Sequence, residues 1–343
     1  MRHIIRYRAF AVVATALALV VGLSVPALAT QVSPGNSSYD RPGITTFPSG
    51  PSGGYDIAWA GTDANGEINV ATLNSSDAVT SKYTDTSSST YYGTGAAIAY
   101  ALVNNEFDNS LVAWTDLNAT VHIAAYTGAG LACESTGFGS SYDTPYLTET
   151  ADGTIYVTTV DGSGGMHITE VTGVGCITET GFAGSGTIVP GSSVTISGNS
   201  TYVGPTLLDL NLSGTPDLWL VWAGTNSAHN INIAKFTPGS GTLGTKYTES
   251  SHSTITDFGG TNADANGTAF FTYCGTNHVT YGQFFDSTGP GTEETLGSDK
   301  CDVYTSSGGY TNGGIDVTYN TNTNNLDYLF ANTSYKLTLD SFA

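Results

Sequence analysis

The chain of 343 residues sets 29 acidic side chains against nine basic ones, a formal net charge of −20, yet only 11% of its residues are charged. So acidic a surface repels phosphate backbones and anionic lipids, which excludes nucleic acid and acidic membranes as partners. With so few charges, solvation falls to Ser, Thr, Asn and the 43 glycines, and the length suffices for a large core or several domains.

The N-terminus addresses the compartment. Arg2, Arg6 and Arg8 precede a small or apolar run from Ala9 to Leu23, and Pro26-Ala27-Leu28-Ala29 supplies an A-x-A cleavage site. That order predicts a signal peptide over 1–29, cleaved after Ala29, and a secreted, extracellular chain over 30–343. No later stretch is apolar enough to span a bilayer, so no membrane span is expected in the mature chain. In an oxidising compartment Cys133, Cys176, Cys274 and Cys301 read as two disulfides rather than a metal site, since no C-x-x-C spacing occurs. Cys133 and Cys176 stand at matching places in neighbouring repeats and are expected to bridge them, leaving Cys274 and Cys301 to pair within one repeat.

From residue 30 onward, Gly and turn residues interrupt every run before three helical turns could form. What recurs is short runs of Val, Ile, Thr, Tyr and Phe between Gly/Asn/Asp clusters. Tyr39-x-x-Pro42 returns as Tyr92-x-x-Gly95, Tyr142-x-x-Pro145, Tyr202-x-x-Pro205 and Tyr310-x-x-Gly313; a degenerate copy puts Asp257 where the tyrosine would be. About twenty residues after each comes a strand ending in a bulky residue, aligned at Trp59, Trp114, Thr158, Trp222, Tyr273 and Phe330. A third echo, KYTDTSSS at 82–89 and KYTESSHS at 246–253, marks a fourth strand.

Four short antiparallel strands at a 50–60-residue period are the pattern of β-propeller blades. The expectation is an all-β, six-bladed propeller over 30–343. Its bulky aligned residues would pack between blades. The last copy is one strand short, so an N-terminal strand is expected to close the ring. The W-A-G-T-[DN] turns followed by I-N-[VI], at 59–70 and 222–233, resemble those of secreted bacterial β-propellers of the sialidase-like and lectin-like kind.

A sialidase-like resemblance implies an arginine triad gripping a carboxylate. Beyond residue 29 the chain has one arginine, Arg41, and TDANGEI at 62–68 and NADANGTAFF at 262–271 carry one residue too many for that family's Asp box. A glycosidase would instead need a carboxylate pair; the candidates are Asp209 and Asp316 on presumed inner strands and Asp40, Asp143 and Asp257 at the repeat starts. His122 and His167 share a repeat position with Asn69 and Asn232, which reads as a repeated structural hydrogen bond rather than a metal site. Calcium could sit at the D-x-N-G-E turn of 63–67, but the turn lacks the full loop of carboxylates that a firm site needs, so no metal or cofactor is expected.

In a propeller the loop leading into the first strand shares a face with the turn between the second and third. Tyr39, Tyr92, Tyr142, Tyr202 and Tyr310 would then ring one mouth, beside Asp63, Asp116, Asn226 and Asn277. Aromatic bodies with hydroxyl tips among neutral hydrogen-bonding groups suit a sugar or a peptide; the competing reading makes each tyrosine a plug between blades. The sequence therefore points to a non-catalytic binding or adhesion module for an extracellular glycan or protein surface, with carbohydrate the expected ligand. The alternatives are a secreted glycoside hydrolase-like enzyme and a structural surface protein.

Overall fold

The structure, a computed structural model, describes residues 30–31, 36–38, 40–46, 54–63, 65–90, 94–100, 110–127, 130–174, 177–178, 181–182, 187–211, 214–262, 267–301, 304–305, 311–320 and 323–342. The predicted signal peptide, Tyr39, Tyr92, Tyr310 and Cys176 lie outside them.

Six four-stranded antiparallel sheets follow one another around an axis, and in the first five the strands run in chain order from the inside outwards. Blade one runs through Gly43–Thr46, Tyr55–Ala60, Ile68–Leu73 and Val79–Asp85. The first strands of blades two to six are Ala96–Tyr100, Tyr146–Glu149, Thr206–Asp209, Gly259–Thr261 and Ile315–Asn320. Blade six takes its fourth strand from the other end of the chain: Thr30 pairs with Leu339 and Gln31 with Thr338. The expected closure by an N-terminal strand is what the register shows.

Period two explains why the second strands read as nearly continuous apolar runs. Alternate side chains of a strand point to opposite faces, and here each face meets a neighbouring blade. In Tyr55–Ala60, Tyr55, Ile57 and Trp59 join Leu329 and Leu339 of blade six, while Ala58 and Ala60 join Ile98 and Trp114 of blade two. Each of the six seams thus holds its own hydrophobic cluster. The aligned Trp59, Trp114, Thr158, Trp222, Tyr273 and Phe330 are all buried. Trp222 sits against Tyr156 and Ile168 of blade three, and Phe330 against Phe270 of blade five, so the bulky positions pack between blades as expected. Truncating such a side chain to alanine costs about 3–5 kcal/mol.

Cys274, ending the second strand of blade five, is bonded to Cys301, just after that blade's fourth strand Gly289–Lys300. Cys133 is disulfide-bonded as well; its expected partner Cys176 lies outside the described residues.

Candidate functional site

The turn between the second and third strands is built the same way in most blades. An Asp or Asn opens it and caps the main chain behind. Asp63 Oδ1 accepts the N–H groups of Asn65 and Glu67, and Asp116 Oδ1 those of Asn118 and Thr120. Asn277 Oδ1 accepts that of Val279, and Asn332 Oδ1 those of Ser334 and Lys336. Asn226, in the same position, is exposed. The glycine before the capping residue makes room for it: a Cβ at Gly61 would stand 2.8 Å from Asp63 Oδ2, and one at Gly275 would stand 2.7 Å from Asn277 Oδ1. The A-G-T-D and C-G-T-N runs are therefore turn chemistry. Blade three has a fifth capping residue that the repeat alignment passed over, Asp161 of V-D-G-S-G-G, which accepts from Ser163 and Gly165.

Each such turn also anchors the lead-in of the next blade. Ser141 N–H donates to the carbonyl of Ala119, Thr201 to Gly164, Thr254 to His229, Cys301 to His278 and Ser38 to Tyr335. Where a hydroxyl residue stands there, it caps the residue two further on: Ser141 for Asp143, Thr201 for Val203, Thr254 for Thr256. This register corrects the sequence alignment in one place. Ile255, following Thr254 as Tyr142 follows Ser141, holds the tyrosine position of blade five, and Asp257 sits two residues beyond it.

Because turns and lead-ins bond to one another, they share a face. On it Tyr142 is 38% exposed, Tyr202 56% and Leu117 58%, in three successive blades. The two tyrosines flank one turn: a Cβ at Gly162 would stand 3.1 Å from the Tyr142 ring, and one at Gly164 would stand 3.5 Å from that of Tyr202. Gly164 itself is required, since its φ is +83° and a Cβ would come within 2.7 Å of the Thr201 carbonyl. Tyr142 and Tyr202 are therefore outward-facing.

The histidines link the turns to the outer strands. His122 stacks on Trp114 at 5.1 Å and reaches Asp116 at 3.3 Å and Glu134 on the fourth strand. His167 bridges Asp161 at 3.0 Å and Thr195 at 3.1 Å. Asn69 and Asn232 likewise accept from Thr84 and Thr248. The shared Asn/His position is the repeated hydrogen bond expected of it. Lys82 and Lys246, from the third echo, lie 4.9 Å and 5.0 Å over the rings of Trp59 and Trp222.

The candidate catalytic carboxylates are all buried. Asp209 Oδ1 accepts from Asn211 and Asp217 and its Oδ2 from Ala151. Asp316 Oδ2 accepts from Ile44, its Oδ1 meets the Tyr146 hydroxyl at 3.1 Å, and burial pushes its carboxyl up to about 6. Asp40, Asp143 and Asp257 converge at the lead-in end of the axis, beside a fully buried Arg41 that stacks on Tyr146 at 4.7 Å. Burial, with mutual repulsion, raises Asp40 and Asp143 well above the usual carboxylate range. Tyr146 also lines a channel cavity of about 230 Å³ walled by Thr46, Ile98, Thr148, Thr261 and Thr318 of the first strands.

No family model matches the chain, and no curated protein matches it in sequence. Solved structures do match in fold. AofleA from Arthrobotrys oligospora superposes with a TM-score of 0.64 at 9% identity, over 90% of this chain and 85% of that one. A variant of the Aleuria aurantia lectin in complex with alpha-methyl-L-fucoside gives 0.60 at 11% identity, over 90% and 93%. The SapL1 lectin in complex with alpha methyl fucoside gives 0.53 at 14%, over 90% and 94%. The likeness is to six-bladed propellers as a fold.

Proposed function

We propose that the protein is an exported, non-catalytic carbohydrate-binding propeller, serving binding or adhesion, whose ligand seats on the lead-in face between blades three and four. The observation that carries this is the pair of outward-facing tyrosines, Tyr142 and Tyr202, flanking the glycine turn of 162–164. A sugar presents apolar C–H faces and a rim of hydroxyls, which aromatic rings beside turn amides and hydroxyls complement without net charge. The fold likeness to fucoside-bound lectins supports the same ligand class. The enzyme reading finds no support among the candidate carboxylates, since a general acid must reach its substrate and all five are buried. Export rests on residues 1–29; cleavage after Ala29 would leave Thr30, which opens the closing strand, as the first residue.

Glycan-array screening followed by calorimetry tests the reading. Tyr202→Ala is expected to weaken binding of the best glycan at least ~10-fold, the loss of about 1–3 kcal/mol that one aromatic contact represents, and Tyr142→Ala to act in the same direction. Release of reducing sugar by the wild type, abolished by Asp209→Asn, would instead establish the hydrolase.

A further inference from the structure

Three carboxylates meet on the propeller axis, away from the tyrosine face's turn. Asp40, Asp143 and Asp257 come from the lead-ins of blades one, three and five, so alternate blades send one each to a common point. One oxygen from each lies within 4.8 Å of those of the other two, and all three residues are buried. Main-chain N–H groups hold one oxygen apiece: Arg41 and Gly313 donate to Asp40 Oδ1, Thr144 to Asp143 Oδ1 and Gly204 to Asp257 Oδ1. Asp257, beside the Gly204 N–H, meets the side chains of Thr144 and Asp143, whereas the second oxygen of Asp40, a residue 1% exposed, has no hydrogen-bond partner. Arg41 does not provide one. Its Nη1 and Nη2 donate to the carbonyls of Phe258 and Pro145, and among the described residues no ion pair within 4.0 Å joins it to any of the three.

A buried carboxylate oxygen without a partner is costly, and two further buried carboxyls around the same point add mutual repulsion. We propose that the cluster is a calcium site, a single Ca²⁺ held on the axis by Asp40, Asp143 and Asp257. The donors are all hard oxygens, which select Ca²⁺ or Mg²⁺ over transition metals. Calcium bonds oxygen at about 2.3–2.6 Å, and three oxygens all within 4.8 Å of one another can share one such ion. Calcium's flexible coordination accommodates carboxylates whose positions main-chain bonds fix, whereas magnesium demands near-ideal octahedral geometry at about 2.1 Å. Charge also balances: three carboxylates and one guanidinium leave two negative charges, which one divalent cation cancels. The ion would tie blades one, three and five together where the chain makes no covalent link, independently of any sugar at the turns.

The test is metal loading of the whole chain. Protein unfolded in urea with EDTA is refolded with CaCl2, with MgCl2 or with neither, and its bound metal and melting temperature are measured. About one equivalent of calcium, a melting temperature at least ~5 °C above that of the metal-free protein, and a smaller rise with magnesium are expected. Asp143→Asn and Asp257→Asn should each lose both the calcium and the rise. A wild type that refolds without calcium and melts unchanged overturns the site, and so does full calcium retention in either variant, which would move the ion to the turn carboxylates. Should the variants fail to fold, the wild-type stoichiometry and melting shift decide. None of these readouts needs a glycan, so they stand or fall apart from sugar binding.

Discussion

The aspartates of the turns and those of the lead-ins are the same side chain in opposite electrostatic settings. At Asp161 and Asp116 partial burial works against ionisation, but hydrogen bonds outweigh it and hold both carboxyls below their ordinary value. They come from Ser163, His167 and Gly165 at the first, and from Thr120, Asn118 and His122 at the second. At Asp40, two main-chain N–H donors do not suffice: complete burial dominates, Asp257 adds repulsion, and the carboxyl rises. Asp40 has fewer donors than either turn aspartate. It also lacks access to water, which raises the cost of the charge further. A repeated aspartate near the rim is a turn cap; three brought to the axis become a cluster in which burial favours the protonated carboxyl.

Three substitutions would break or sharpen that contrast. The largest effect is expected from Arg41→Met, which removes the buried guanidinium beside the cluster and leaves the carbonyls of Pro145 and Phe258 without their donor. A loss of about 3–5 kcal/mol in urea unfolding is expected; a loss below 1 kcal/mol would mean that the guanidinium contributes little to the axis. Next comes Asp316, also buried on the axial side, whose carboxyl stands at about 6 against an ordinary 3.8. The native state then holds this proton more tightly than the unfolded chain. Its contribution to stability is greatest below pH 4 and falls as the pH rises to about 6, by up to ~3 kcal/mol. Asp316→Asn should flatten the unfolding free energy over that interval; an unchanged slope would assign the pH dependence elsewhere. The smallest effect belongs to the rim. Asp116 and Glu134 raise the pKa of His122 against the opposing effect of burial. Its stabilisation is therefore complete below about pH 6.5 and disappears as the pH climbs through the raised value. His122→Gln should cost less than ~1 kcal/mol at pH 5 and still less at pH 8, since the pair is partly solvated. An equal cost at both would make the residue a packing element on Trp114 alone.

Much of the fold was legible because its rules are local. The 50–60-residue period, the alternation of apolar side chains and the missing last strand required six blades closed by the N-terminus, and the register of Thr30 on Leu339 carries that out. Cys274 with Cys301 was readable from blade membership. The site was less legible. Tyr142 and Asp63 were visible as repeated residues, but repetition alone did not say that Asp63 spends its carboxylate on the N–H groups of Asn65 and Glu67 while Tyr142 faces outward. Asp161 carries a signal, an aspartate before G-S-G-G at the right distance after a strand, that lies outside the W-A-G-T pattern. The lead-ins differ in length, so spacing alone places Asp257 at the tyrosine position, and only the hydrogen bond from Thr254 to His229 sets their register.

What the sequence by itself determined was the blade: strand lengths, turn chemistry and the bulky residue each blade turns to its neighbour all follow from propensity and period within some sixty residues. What only the tertiary structure decided was the axis. Asp40, Asp143 and Asp257 lie in three different repeats, and no local preference brings them within 4.8 Å of one another. Their meeting follows from closure of the ring, when six seams bury their apolar faces together and the lead-ins have one central point at which to converge.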